Sequence, residues 1–232
     1  MKVVESKEID VTSLSNNKAY FLRIDPEDLN VSILEILQNL ADMSWLNTFD
    51  KDYIRSSFQS NAVKTSRYIH SKLIDKNTNE PIIDEAGEYI VSCLAKQALI
   101  TTCQHTDIPL MELLGRKISN NPGFDFYTEC ESILTAGEAK YIKGVNAYNN
   151  SLSQINEFIL NNKHIEDIGI LFFFATDIAL ENMNNGLFTI GAAFSVTDID
   201  TDLLIKHIVN NAAFQTAIKS SSVFLLGVNM YE

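Results

Sequence analysis

The chain has 232 residues, 46% hydrophobic and 21% charged, which is enough for one large packed domain or one domain with a sizeable extension. Its formal net charge of −12 argues against strong unaided binding to nucleic acid, because phosphate affinity is mostly supplied by Lys and Arg. The apolar run "IGILFFFATDIAL" is broken by Asp177, "MKVVESKEID" has no apolar signal core, and Cys93, Cys103 and Cys130 show no paired spacing, so a reduced cytoplasmic protein with no membrane partner is expected.

In chain order, "NVSILEILQNLADMSW" (30–45) has apolar residues at helical spacing after an Asn that can cap. The stretch "NTNEPIIDEAG" (77–87) reads as a loop and a boundary. A helix is predicted over about 84–104, a strand–turn–strand over about 123–142, and a helix over about 146–162 with Tyr148, Leu152, Ile155 and Ile159 on one stripe. Next come a buried strand at "GILFFFA", a strand at "LFTIGAAFSV", a helix at "DTDLLIKHIVNNAAF" and a last strand at "SVFLLGV". The pattern predicts an α/β fold: an N-terminal extension over 1–80, partly helical, then a core over 81–232 with a mixed central sheet flanked by helices.

The informative stretch is "NPGFDFYTECESILTAGEAKYIKG", Asn121 to Gly144. Alternate strand residues share a face, so Glu138 and Lys140 project together, with Ala139 and Tyr141 on the other side. On the first strand Asp125, Tyr127 and Glu129 share a side, with Phe124 and Phe126 opposite. A two-residue turn at Glu131 and Ser132 pairs Cys130 with Ile133, and counting outward sets Asp125 across from Glu138. Carboxylates so placed destabilise one another unless protonated or bridged by a cation. A hard divalent ion resolves the conflict, since Mg²⁺ favours one or two carboxylates completed by water and phosphate oxygens. Such an ion activates water and polarises a phosphoryl oxygen, and Lys140 beside it would stabilise the developing oxyanion. The bland alternative is a solvated sheet face, because an isolated Glu-x-Lys triplet is common.

"GFD" followed by "GEAK" resembles the PD-(D/E)XK nuclease superfamily, with "GFD" in place of the leading "PD". The resemblance covers about 84–228 in element order and implies a restriction-endonuclease-like core. It implies Asp125 and Glu138 as metal ligands, the backbone carbonyl of Ala139 in the same shell, Lys140 as catalytic lysine, and Mg²⁺ or Mn²⁺ as cofactor. Many members add an acid from the first core helix. Glu88, at the edge of the Val91, Leu94, Ala95, Ala98 stripe, is the candidate, against a simple exposed glutamate, and Glu85 points further out. Some members carry Gln-x-x-x-Tyr on the following helix; here Gln154 is followed by Phe158, which lacks the hydroxyl, so Gln154 is a substrate contact or a surface amide. Lys143, with Arg116, Lys117 and Lys140, is a candidate phosphate patch.

The whole chain also resembles the nuclease subunits of the Hachiman anti-phage defence system. That likeness implies a DNA-degrading effector working with a helicase subunit, whose basic surface would offset the −12 charge. Two other readings stand beside it: a catalytically weak subunit of the same fold, and a non-catalytic adaptor whose acidic surface imitates nucleic acid. There is no phosphate-binding G-x-x-x-x-G-K-[ST] loop, no G-x-S-x-G and no H-E-x-x-H. The four scattered histidines are read as structural or exposed rather than as ligands, and the three cysteines as small buried residues rather than nucleophiles.

Overall fold

The computed structural model describes residues 1–74, 84–115 and 123–230. The chain opens with β1 (Lys2–Ile9) and β2 (Ala19–Asp25), then α1 (Leu29–Ala41), a short 3-10 helix (Ser44–Thr48), α2 (Asp52–Ile74) and α3 (Asp84–Cys103). A short β3 (Thr106–Asp107) precedes the hairpin of β4 (Phe126–Cys130) and β5 (Ile133–Lys140). Then follow α4 (Tyr148–Leu160), α5 (Lys163–Leu171), α6 (Asp177–Asn184), β6 (Thr189–Val196), α7 (Thr201–Val209), α8 (Ala212–Ser220) and β7 (Ser222–Asn229).

The strands form one mixed seven-stranded sheet in the order β1-β2-β7-β6-β5-β4-β3. β5, β6, β7 and β2 are mutually parallel, and the antiparallel pairs β1–β2, β4–β5 and β3–β4 lie towards the two edges. The four parallel strands are buried on both faces, as parallel strands are when helices cover each side. One face packs on α4 to α8 through residues such as Leu152, Ile155, Phe158, Leu204 and Phe214. The other packs on α1 to α3 through Ile36, Leu40, Ile69, Val91 and Leu99.

The segment expected as an N-terminal extension therefore supplies two strands of the same sheet and part of one helical layer. β2 sits inside the sheet, paired with the last strand, β7, from Ala19↔Val223 to Ile24↔Val228. No local pattern in "AYFLRID" names that partner, about 200 residues away in sequence.

Two elements differ from expectation. "GILFFFA" is the end of α5 and a turn, not a strand. His164, Asp167 and Leu171 share the buried face of α5 at helical spacing, and Tyr127 donates its hydroxyl to Asp167 Oδ2 at 2.7 Å. Phe173 and Phe174 then turn into an aromatic cluster with Phe49 and Phe58 from the N-terminal half. A short apolar run is ambiguous between strand and buried helix until its neighbours are known. The stretch "DTDLLIKHIVNNAAF" is two helices, because the Asn211 side chain accepts from the backbone N–H groups of Ala213 and Phe214 and starts α8 afresh.

Candidate functional site

The turn between β4 and β5 falls on Glu131 and Ser132, with φ of 49° and 61°. Two successive left-handed residues match the twist of the hairpin, which pairs Cys130 with Ile133 and runs to Phe126↔Gly137. Gly137 is required there. A Cβ at that position would lie 2.1 Å from the Phe126 ring, which covers the glycine from across the strand.

Beyond that pair the ladder slips. Asp125 donates its N–H to the Gly137 carbonyl at 2.8 Å instead of pairing evenly with Glu138, and its carboxylate Oδ2 accepts from the Ala139 N–H at 2.7 Å. The slip also breaks the strand alternation. Phe124, expected on the side of Phe126, instead packs with Tyr127 and Phe158 on the opposite layer.

Glu138 and Lys140 do share one side of β5, while Ala139 and Tyr141 face the α3 layer. Glu138 is completely buried, and Lys140 Nζ lies 3.1 Å from its Oε1. The same Nζ lies 3.1 Å from Glu88 Oε1, in the early turns of α3. α3 can come this close because it presents Gly87 to β5; the Tyr141 ring occupies the space where a Cβ would be, 2.2 Å away. From the other layer, Ser151 on α4 donates its hydroxyl to the Glu138 carbonyl at 2.9 Å.

Burial works to lower the Lys140 pKa, but the charges of Glu138, Glu88 and Asp125 outweigh it and hold the ammonium above the ordinary lysine value. These four side chains carry three potential negative charges against one positive. The imbalance of two sits where the carboxyl end of β5 meets α3 and α4. Among the described residues no three His, Cys, Asp or Glu side chains already converge as a metal cage.

The remaining sequence candidates divide. Gln154 lies on α4 one turn beyond Ser151, half-buried, while Phe158 is core, edge-on to Phe124. Lys143 is exposed on the link between β5 and α4. Arg116, Lys117 and the Glu85 side chain lie outside the described residues. His105 is buried with Nδ1 2.8 Å from Thr128 Oγ1, and His164 stacks on Phe188. Burial raises all three cysteine thiols, Cys93 to about 12, so none is poised as a thiolate.

Sequence reasoning missed Gly87 and Ser151. Ser151 left a trace, a hydroxyl in line with Ile155 and Phe158 on the apolar stripe of α4. Gly87 left none, since a helical glycine does not name the ring it meets.

Neither a family model, nor a curated protein, nor a solved structure matches this chain.

Proposed function

We propose that the chain is a metal-dependent deoxyribonuclease of the PD-(D/E)XK type, the DNA-degrading effector of an anti-phage defence system that works with a helicase subunit. The observation that carries this reading is the meeting of Asp125, Glu138, Lys140 and Glu88 at one end of β5, with the lysine held between carboxylates. The order α3, β4, β5, α4, β6, β7 within one mixed sheet supports the fold assignment.

The donor set fits a hard cation. Asp125, Glu138 and the Ala139 carbonyl, with Glu88 as a further carboxylate, offer only oxygen, and two excess negative charges favour a divalent ion. When bound, Mg²⁺ or Mn²⁺ supplies Lewis-acid polarisation of a phosphoryl oxygen and acidifies a water. The chain's own residues do the rest. The Ala139 N–H fixes the direction of the Asp125 carboxylate, and the Ser151 hydroxyl braces the strand at Glu138. Lys140, kept protonated by its acidic neighbours, is the point charge that steadies negative charge building on the phosphoryl group or orients the attacking water. Gln154 and Lys143 are the substrate contacts in this reading. The helicase delivers the DNA, because a chain at −12 repels a duplex at long range.

One observation favours a second reading, a catalytically weak nuclease-fold subunit: Glu138 is wholly buried and its lysine is already held by acids. Plasmid and linear DNA assays in Mg²⁺, Mn²⁺ or chelator, with and without the helicase, separate the two. The nuclease reading expects ion-dependent cutting that Asp125→Asn abolishes. It also expects Mg²⁺ to raise the thermal midpoint of the wild type but not of Glu138→Gln. A stable helicase complex that cuts under neither ion would establish the second reading instead.

A further inference from the structure

The two edges of the sheet are unequal. β3 closes one edge with two residues, whereas β1 runs along the other for eight, KVVESKEI, with no proline. β1 pairs with β2 from Lys2↔Asp25 to Ile9↔Ala19, and among the described residues no strand lies on its outer side. An edge strand of this length presents a row of backbone N–H and C=O groups able to take a further strand. Val4 adds an apolar side chain there, 43% exposed, at the one register shift in the β1–β2 ladder.

Charges on an edge strand usually block such pairing. Here they are arranged to meet their opposites in a second copy. An antiparallel β1–β1 pair centred on Ser6 sets Glu5 opposite Lys7 twice, Lys2 opposite Asp10 twice and Val3 opposite Ile9 twice. Moving the centre to Glu5 or to Lys7 opposes like charges directly, and centring between Ser6 and Lys7 sets Glu5 against Glu8. Centring between Glu5 and Ser6 opposes no opposite charges at all. Neighbouring charges leave the pair available. Lys7 Nζ lies 2.8 Å from Asp202 Oδ1 and 3.8 Å from Glu5 Oε2, yet the Lys7 and Glu5 side chains keep 39% and 40% of their surface exposed. Arg23, opposite Glu5 on β2, turns its guanidinium to Asn229, Ile199 and Thr201, and the Met1 ammonium lies 3.6 Å from Glu27.

We propose that β1 pairs antiparallel with β1 of a second copy about a two-fold axis through Ser6, joining two sheets into one. A two-fold axis makes the interface self-complementary, so each Glu5–Lys7 contact is made twice. The charge of −12 on each copy opposes association, which makes the dimer weak and concentration-dependent. The interface is independent of the nuclease reading, because β2, β7 and β6 stand between β1 and the Glu138 and Lys140 of β5.

Sedimentation velocity of the full chain over a concentration series reads the association. The wild type should pass from monomer to dimer. Glu5→Lys or Lys7→Glu alone sets like charges opposite one another at both contacts and should weaken association by about ten-fold or more. Mixing the two variants restores opposite charges across the axis and should recover a dimer, which a merely structural defect in either variant would not do. The register has its own test, since Ser6 alone faces itself. Ser6→Cys, an exposed change, should give a disulfide-linked dimer under mild oxidation that neither the wild type nor Glu8→Cys gives, because position 8 faces Val4. A wild type that stays monomeric at every concentration overturns the proposal. So does a mixture that associates no better than either folded variant alone, or a Ser6→Cys chain that cross-links no more than Glu8→Cys.

Discussion

Tyr141 lies against Gly87, and that contact sets how closely α3 approaches β5. A Cβ at position 87 would stand 2.2 Å from the Tyr141 ring, so the next residue, Glu88, reaches Lys140 only because position 87 carries no side chain. Gly87→Ala should lose about 1–3 kcal/mol of stability through overpacking, despite alanine's better helix propensity. Pairing it with Tyr141→Leu should restore part of the loss. Urea denaturation of the three proteins checks this; a neutral Gly87→Ala would mean that the glycine is not what seats the helix.

Lys140 carries a structural duty beside any chemical one. Its ammonium lies 3.1 Å from Glu138, which has no exposed surface. Removing one member of a buried ion pair typically costs about 3–5 kcal/mol, because the charge left behind stays desolvated. Lys140→Ala should therefore fall in that range, and adding Glu138→Gln should return most of it. A double-mutant cycle in urea measures the coupling. Additive losses would show that the two side chains do not depend on one another.

The β4–β5 turn holds two residues with side chains, Glu131 and Ser132, in left-handed backbone. Only glycine and, to a lesser degree, asparagine occupy that region cheaply. Replacing them with Asn-Gly should stabilise the protein by about 1–2 kcal/mol, an increase of several degrees in thermal midpoint. Differential scanning calorimetry reads the change. A loss of stability would mean that these side chains make contacts outweighing the backbone cost.

Acid should destabilise the fold partly through His105. Burial lowers its pKa from 6.5 to about 4, so between those values the unfolded chain takes up a proton that the folded chain refuses. Stability from this group is complete above about 6.5, declines as pH falls towards 4 and is level below. Burial shifts His164 in the same direction. His105→Gln, which keeps a polar partner for Thr128, should flatten the decline of urea midpoint between pH 6.5 and 4. An unchanged slope would assign the acid sensitivity elsewhere.

What the sequence determined by itself was local. A two-residue turn leaves one way to count the β4–β5 ladder, and a period of two then sets Glu138 and Lys140 on a common side; both hold in the structure. The spans of α3, β6 and β7 were legible for the same reason, because periodicity acts within a few residues. The tertiary structure decided what depends on partners far along the chain. It placed β2 beside β7, turned "GILFFFA" into a helix end packed on aromatics from residues 49 and 58, and slipped Asp125 by one step so that its carboxylate meets the Ala139 amide. It also brought Glu88 to Lys140 through a glycine that fits one tyrosine ring. Backbone geometry is dictated by neighbours in sequence, whereas the closeness of two charges is dictated by whichever side chains pack between the elements that carry them.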